Sequence, residues 1–230
     1  MCNTVKISAG VQSNNMPCIL IFGGTFDPVH NGHLALAKFF CERINPEILR
    51  IIPTGRPWQK SPVQAADEHR LQMIESAFRD FPFKTFIDRQ EIDRKGPTYT
   101  IDTLHALRAE LGKEVSLVFL LGADQLKTFN TWEGWREILN FTHICAASRP
   151  GYKITQDELP EEVTQLFKQN AGDLEQIKST PNGYVFIAKN LSVDISSTQV
   201  RENLRKNNIP YTQLPAAVLN YIQLNQLYRA

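Results

Sequence analysis

Residues 18–34 read CILIFGGTFDPVHNGHL, and this stretch determines the fold class of the chain. The apolar run at its start is followed at once by Gly23 and Gly24, which predicts a buried strand that ends in a sharp turn. Apolar residues then recur from Leu34 at helical spacing until Pro46 closes the pattern, so the turn is expected to lead into a helix. Strand, turn and helix in this order are the beginning of a βαβ unit.

The same alternation of strands and helices continues through the rest of the sequence. Further strands are predicted at residues 48–53, 85–88, 115–121, 142–147 and 184–188. One helix is predicted after Asp67, its candidate N-cap, with Leu71, Ile74 and Phe78 on the inner face. Further helices are predicted at residues 101–111, 132–140, 161–169, 197–206 and 216–227. Strands that alternate with helices predict an α/β fold, in which a doubly wound parallel sheet is covered by helices on both faces.

Residues 1–15 differ from the rest of the chain, because they are polar and show no periodic pattern. We expect them to form a flexible N-terminal extension to a single domain of residues 16–230. They lack the apolar core of a signal peptide, and no apolar run in the chain approaches the roughly 20 residues that span a bilayer. The sequence therefore predicts a cytoplasmic protein with no membrane partner.

The composition is that of a globular protein, with 42% apolar and 21% charged residues among 230. The 25 basic and 24 acidic residues leave a net charge of +1, so no overall positive field favours nucleic acid, and no nucleic-acid partner is expected. The four cysteines lie far apart without a CxxC pair, which argues against a zinc site and favours reduced thiols. The sequence does not determine the oligomeric state, and a homo-oligomer is one possibility.

The segment GGTFDPVHNGH at residues 23–33 carries the strongest chemical signal. His30 and His33 are three residues apart at the start of the predicted helix, so both imidazoles are expected on one face. Imidazoles beside the N–H groups of a helix N-terminus form a good binding site for phosphate oxygens. An isolated pair of this kind would more simply indicate a tight turn with two surface histidines. The common phosphate loops GxxxxGK[ST] and GxGxxG are absent from the chain.

The segment DISSTQVR at residues 194–201 is a second candidate phosphate site. Ser196 followed by Gln199 has the spacing of a capping box and predicts the start of a helix after a strand. By itself this pattern indicates only a capped helix with a solvated Arg201. Ligands of parallel sheets bind at the carboxyl ends of the strands, so the segments that follow strands are expected to meet in one site. These segments are residues 23–33, 53–60, 122–124, 148–151 and 194–201.

The segment of residues 23–33 resembles the HxGH signature of the nucleotidyltransferase superfamily. Over residues 18–228 the chain is similar to the bacterial nicotinate-nucleotide adenylyltransferases of NAD synthesis. The further matching motifs are PTYTIDTL at 97–104, LGAD at 121–124, FNTW at 129–132, SRPGY at 148–152, ISSTQVR at 195–201, YI at 221–222 and LY at 227–228. Several matches in one order are far more specific than any single one. The family commonly carries Pro-Pro-His-Lys where this chain has PWQK at residues 57–60.

The resemblance implies a single Rossmann-like domain that transfers an adenylyl group from magnesium-bound ATP to nicotinate mononucleotide and releases pyrophosphate. It implies catalytic roles for His30, His33 and Arg201. It implies ATP binding by Gly23, Gly24, Thr25, Phe26, Lys60, Gly122, Asp124, Ser196, Ser197 and Thr198, and mononucleotide binding by Tyr99, Thr100 and Trp132, with Trp132 stacking on the pyridine ring. No carboxylate cluster stands out in the sequence, so Mg²⁺ is expected on ATP oxygens and water rather than in a protein metal site.

Two alternatives remain at this point. The acceptor could be nicotinamide mononucleotide or another phosphorylated compound such as phosphopantetheine, although the family that uses phosphopantetheine is shorter and lacks the elements at residues 98–104 and 131–132. The chain could also be a nucleotide-binding regulatory module without turnover. The intact His30, His33 and Arg201 argue against that second alternative.

Overall fold

The computed structural model describes residues 16–56, 63–147, 159–188, 191 and 195–229. Three sequence predictions lie outside these ranges. They are the extension of residues 1–15, the ATP-binding role of Lys60 and the motif at residues 148–152.

Within the described residues, six strands form one parallel sheet. They are β1 (Cys18–Gly24), β2 (Ile48–Pro53), β3 (Thr85–Ile87), β4 (Ser116–Gly122), β5 (His143–Ala147) and β6 (Val185–Ala188). Their order across the sheet is β3-β2-β1-β4-β5-β6, so the chain winds outward in one direction from β1 and in the other direction from β4. This is the predicted doubly wound order, and it places the topological switch point between β1 and β4.

Helices cover both faces of the sheet. In the described ranges they are α1 (Asn31–Ile44), α2 (Asp67–Phe78), α3 (Thr100–Leu111), α4 (Ala123–Leu126), α5 (Glu161–Gln169), α6 (Leu174–Ser179), α7 (Ser197–Arg205) and α8 (Ala216–Leu224). Leu20 and Phe22 of β1 pack with α1, α2, α7 and α8, whereas Ile19 and Ile21 pack with α3 and α5. Both faces of the strand are therefore buried, which explains why its sequence is a continuous apolar run.

No helix in the described ranges combines the length and the apolar character needed to cross a lipid bilayer.

The predicted helix at residues 132–140 is wrong. The chain there forms turns, with one-turn 3₁₀ segments at Phe129–Thr131 and Ile138–Asn140. Gly134 between them has a φ of +63°, a left-handed conformation that interrupts a right-handed helix. The short helix α6 was not predicted, although Asp173 and Gln176 form a reciprocal capping box at its start that is visible in the sequence.

The prediction that Asp67 caps α2 is also wrong, because Ala66 occupies the N-cap and Asp67 is the first helical residue. The Asp67 carboxylate instead accepts a hydrogen bond from Arg70 Nη2 at 2.6 Å. Arg70 is fully buried, and its Nη1 donates to the backbone oxygen of Thr25 at 2.7 Å. Asp67 therefore holds an arginine that ties α2 to the loop between β1 and α1.

The three described cysteines, Cys18, Cys41 and Cys145, are buried free thiols. Burial raises the pKa of Cys18 to about 11 and that of Cys41 to about 12. Since the thiolate is the reactive form, these side chains are inert members of the core.

His143 at the start of β5 is a fully buried histidine for which the sequence indicated no role. Its Nδ1 accepts from the backbone N–H of Tyr184 at 3.0 Å, and its Nε2 lies 2.8 Å from the backbone oxygen of Thr180. An imidazole with one accepting and one donating nitrogen is satisfied in its neutral form. Burial lowers the pKa of His143 to about 4, so the neutral ring is part of the folded state.

We expect this histidine to make the protein sensitive to acid. Because the unfolded state binds the proton near pH 6.5 and the folded state only near pH 4, the free energy of unfolding should fall by about 3 kcal/mol across that window. Urea unfolding at pH values above 6.5 and between 6.5 and 4 should show this decrease in the free energy of unfolding. The decrease should be smaller in His143→Gln. His105→Gln, at an exposed position of α3, is the control and should keep the parent slope. Equal slopes in all three proteins would contradict the prediction.

Candidate active site

A cavity of about 410 Å³ lies at the carboxyl ends of β1 and β4, at the switch point of the sheet. Three segments that the sequence places far apart meet there, namely the loop and first turn after β1, the residues after β4 and the start of α7. The predicted site residues that line it are Gly23, Gly24, Thr25, His30, His33, Gly122, Asp124, Ser196, Ser197, Thr198 and Arg201. The expectation that the segments following strands meet in one site therefore holds for these three.

His30 and His33 lie together at the start of α1. His30 is the N-cap with an extended backbone, and the two imidazoles stack with their centroids 3.7 Å apart. The backbone N–H of His30 donates to Nδ1 of His33 at 3.2 Å. A ring nitrogen that accepts a hydrogen bond carries no proton, so in the neutral ring the His33 proton is on Nε2. This arrangement makes Nε2–H of His33 a donor beside the cavity.

Gly32 between the two histidines lines the cavity and leaves room for the ring of His30. In the structure a Cβ at residue 32 would lie 3.0 Å from two atoms of the His30 ring. Because such a contact is too short for the ring to stay where it is, the glycine preserves the position of His30.

Among the described residues that were predicted to bind ATP, Phe26 does not line the cavity. It is fully buried, and its φ of +47° turns the ring inward. The ring makes edge contacts with Phe22 at 5.3 Å and with His33 at 5.0 Å between centroids. The side chain of Phe26 thus packs against the ring of His33. Only the backbone of Phe26 remains for contact with a nucleotide.

Arg201 on α7 points back to the loop after β1. Its Nη1 donates to the backbone oxygen of Asp27 at 2.6 Å, and its Nη2 donates to Oγ1 of Thr198 at 3.3 Å. Its Nε is buried and has no hydrogen-bond partner. Since buried donors in folded proteins are nearly always paired, the unpaired Nε beside this cavity is consistent with an anionic ligand.

The start of α7 docks directly on the histidine loop. Ser196 is the N-cap, as predicted, and its Oγ accepts from the backbone N–H of Gln199 at 3.2 Å. The Ser197 hydroxyl donates to the backbone oxygen of Pro28 at 3.0 Å. The N-termini of α1 and α7 are therefore held next to each other, and the backbone N–H groups of a helix's first turn have no partner within the helix. Two such ends favour a group with several negative oxygens.

Asp27 is a site residue that the sequence analysis missed. Its carboxylate is buried at the cavity wall and accepts from the backbone N–H groups of Gln64 and Ala65 and from the hydroxyl of Tyr228. No local pattern reveals these partners, because they lie 37, 38 and 201 positions away in the chain.

The residues predicted to bind the mononucleotide do not line this cavity. Trp132 is half-buried on Phe129, with ring centroids 5.4 Å apart, and its indole Nε1 is buried without a hydrogen-bond partner. The turn that follows it packs on the start of α3, since a Cβ at Gly134 would lie 3.1 Å from Ile101. Tyr99 is the N-cap of that helix and Thr100 its first residue. The three predicted residues thus lie in one neighbourhood, and none of them lines the cavity.

The carboxylates at the cavity are few. Among the described residues, no group of three or more His, Cys, Asp or Glu side chains could hold a metal ion. Of the two carboxylates in the described cavity wall, Asp27 already accepts three hydrogen bonds and Asp124 is exposed. This donor set fits a Mg²⁺ ion that is bound mainly by phosphate oxygens and water, and does not fit an all-protein metal site.

Comparison with known proteins agrees with this geometry. A sequence profile of the family described as "Cytidylyltransferase-like" matches residues 21–203. A "Probable nicotinate-nucleotide adenylyltransferase" of Herminiimonas arsenicoxydans is 49% identical over 213 residues, which are 93% of this chain and 97% of the relative. Another protein with this description, from Marinomonas sp. (strain MWYL1), is 35% identical over 230 residues, which are 98% of this chain and 100% of the relative.

Among solved structures, the Plasmodium falciparum nicotinic acid mononucleotide adenylyltransferase complexed with NaAD has the same fold. The match has a TM-score of 0.71 at 20% identity and covers 92% of this chain and 97% of the other. The profile match and the identity to full-length relatives show that the chain belongs to the cytidylyltransferase-like family and, within it, to the nicotinate-nucleotide adenylyltransferases.

Proposed function

We propose that the protein transfers the adenylyl group of ATP to nicotinate mononucleotide, which yields deamido-NAD and pyrophosphate. The observation that carries this proposal is the joint placement of Nε2–H of His33 and the unpaired Nε of Arg201 at one cavity. Hydrogen-bond donors at one cavity suit the transfer of a phosphoryl-type group between two phosphates, because they neutralise the charge of the phosphate oxygens. The descriptions of the full-length relatives support the same acceptor.

The reaction needs positioning and charge neutralisation more than proton transfer. The 5′-phosphate of the mononucleotide is largely ionised at pH 7, so no general base is required. One of its oxygens attacks the α-phosphorus of ATP in line, and the bond from that phosphorus to the pyrophosphate oxygen breaks. His30, His33 and Arg201 then stabilise the negative charge that accumulates on the transferred group and on the leaving pyrophosphate.

The proposal for the other contacts is supported by the cavity lining for ATP and by the family resemblance for the mononucleotide. The ATP phosphates would lie against Gly23, Gly24 and Thr25 and against Ser196, Ser197 and Thr198, with Gly122 and Asp124 near the nucleoside. The mononucleotide would reach from the cavity toward Tyr99, Thr100 and Trp132, with its ring on Trp132. Mg²⁺ would arrive with ATP and neutralise part of the phosphate charge. Asp124, an exposed carboxylate in the cavity wall, would be the side chain near the ion.

The proposal is tested by pyrophosphate release with ATP and a panel of acceptors. Nicotinate mononucleotide should support turnover, whereas phosphopantetheine should not. Efficient turnover with another acceptor alone would replace the proposed substrate. A folded protein that binds ATP but releases no pyrophosphate with any acceptor would be a regulatory module.

Arg201→Ala is expected to weaken the use of ATP more than the use of the mononucleotide. The loss of hydrogen bonds to a charged phosphate should raise the KM for ATP by about ten- to a hundredfold. Arg201→Lys should recover only part of this, because a point charge cannot reproduce the two-pronged guanidinium contact. Separate titrations of the two substrates measure the effect. Equal damage to both KM values would assign Arg201 a structural role through its contact with Asp27.

A further inference from the structure

A buried carboxylate borders the cavity in which we place the triphosphate. Asp27 is only 3% exposed and lies in the cavity wall. A negative charge beside phosphates opposes their binding, and in a buried position water screens that repulsion poorly. The charge of Asp27 must therefore be balanced by donors that stay in place when ATP binds.

Three donors balance it, and one of them is a side chain from the far end of the described chain. Oδ2 of Asp27 accepts from the backbone N–H of Gln64 at 2.8 Å, and Oδ1 accepts from that of Ala65 at 3.2 Å. The Tyr228 hydroxyl donates to Oδ1 at 2.6 Å, the shortest of the three contacts. Short O–H···O⁻ bonds are among the stronger hydrogen bonds in proteins. Burial, followed by the charge of Asp27, raises the pKa of Tyr228, so the phenol keeps the proton that it donates.

The position of Arg201 links the charge balance of Asp27 to the binding of ATP. Its Nη1 is bound to the backbone oxygen of Asp27 but lies 3.9 Å from Oδ2 of the same residue. The guanidinium is thus next to the carboxylate without a hydrogen bond to it. If the carboxylate lost its tyrosine partner, a small rotation would bring it onto Arg201, and it would compete with phosphate for that cation.

Tyr228 is held firmly outside the cavity. It lies in the turn after α8, is 8% exposed and packs in the same core cluster as Phe26. Its φ of +59° is rare for a bulky residue, so tertiary contacts hold it in this conformation. Tyr228 does not line the cavity. Its hydroxyl does contact Asp27, so an effect of that hydroxyl on ATP would pass through this carboxylate.

We infer that the Tyr228 hydroxyl is a positioning group for the ATP site, which holds the Asp27 carboxylate and so keeps the Arg201 guanidinium available to the triphosphate. The inference rests on the proposed function, because it places the triphosphate in this cavity. It adds to that function a residue that contacts neither substrate.

Tyr228→Phe removes only the hydroxyl and is the direct test. The KM for ATP, and the Kd for ATP measured by calorimetry without mononucleotide, should both rise about tenfold. The KM for nicotinate mononucleotide should stay at the parent value. Tyr221→Phe is the matched control, because Tyr221 lies on α8, its hydroxyl bonds to Nδ1 of His69 at 2.9 Å and it does not line the cavity. This control should bind ATP as the parent does.

A second variant tests the electrostatic step. In the Tyr228→Phe background, Asp27→Asn removes the charge that would compete for Arg201, so ATP affinity should partly recover. A merely structural role of Tyr228 predicts a further loss in the double variant. Melting temperatures of all variants separate these effects from unfolding.

Three results would overturn the inference. They are equal ATP affinity in Tyr228→Phe and Tyr221→Phe, parallel losses for both substrates in Tyr228→Phe, and no recovery in the double variant. Failure of the proposed function gives a different result, since the parent protein would then bind ATP but not transfer adenylyl to the mononucleotide.

Discussion

His33→Ala is expected to lower kcat by about 10²–10³ while the protein stays folded. Nδ1 of His33 is occupied by the backbone N–H of His30, so Nε2–H is the nitrogen that can serve the phosphate oxygens. Negative charge accumulates on those oxygens as pyrophosphate leaves, so the lost donor should act on kcat more than on KM. The measurement is the rate of pyrophosphate release at saturating ATP and nicotinate mononucleotide.

His105→Ala is the control for this experiment. His105 is an exposed histidine on α3 whose ring is tilted against that of Phe141, with centroids 4.2 Å apart, and it does not line the cavity. Its replacement should leave kcat at the parent value. A near-parent kcat in a correctly folded His33→Ala variant would contradict the catalytic role of the histidine pair.

The second large effect concerns the acceptor, for which kcat/KM should favour nicotinate over nicotinamide mononucleotide by about one to four powers of ten. The two compounds differ only in a carboxylate or an amide on the ring. We place this group at the start of α3, where unpaired backbone N–H groups and partial positive charge suit a carboxylate. The amide would turn its own NH₂ toward some of these donors and leave them unpaired, at about 1–3 kcal/mol each.

Two variants separate ring stacking from selection of the ring substituent. Thr100→Pro removes one backbone N–H at the first position of α3, where proline is well tolerated. Tyr99 before it already has the extended backbone that proline requires, with φ −108° and ψ 137°. This variant should compress the ratio between the acceptors. Trp132→Ala should weaken both acceptors and preserve their ratio, because stacking is nearly indifferent to the exchange of carboxylate for amide.

The decisive measurement is kcat/KM for both acceptors at identical ATP and magnesium concentrations. A parent ratio near one would remove the nicotinate assignment and leave adenylyl transfer standing. An unchanged ratio in a folded Thr100→Pro variant would place the ring substituent away from α3.

Local sequence patterns determined the fold class, because the strands of a parallel sheet are buried on both faces and so appear as continuous apolar runs. Residues 48–53 and 161–169 have the same bounds in the sequence prediction and in the structure. The placement of His30 and His33 on one face and the cap at Ser196 were equally local, since they depend on residues three apart. The assignment of substrates came from the family resemblance and not from these patterns.

Tertiary structure decided everything that depends on contacts between distant segments. Residues 132–140 have apolar positions compatible with a helix, yet Gly134 adopts a left-handed turn where this segment packs on Ile101 of α3. Asp27 and Tyr228 are 201 positions apart, and they meet in a structure in which α8 packs on α2. A stretch of a few residues contains no information about such pairs. Their hydrogen bond contributes to stability only in the folded protein, where both groups are removed from water and pair with each other.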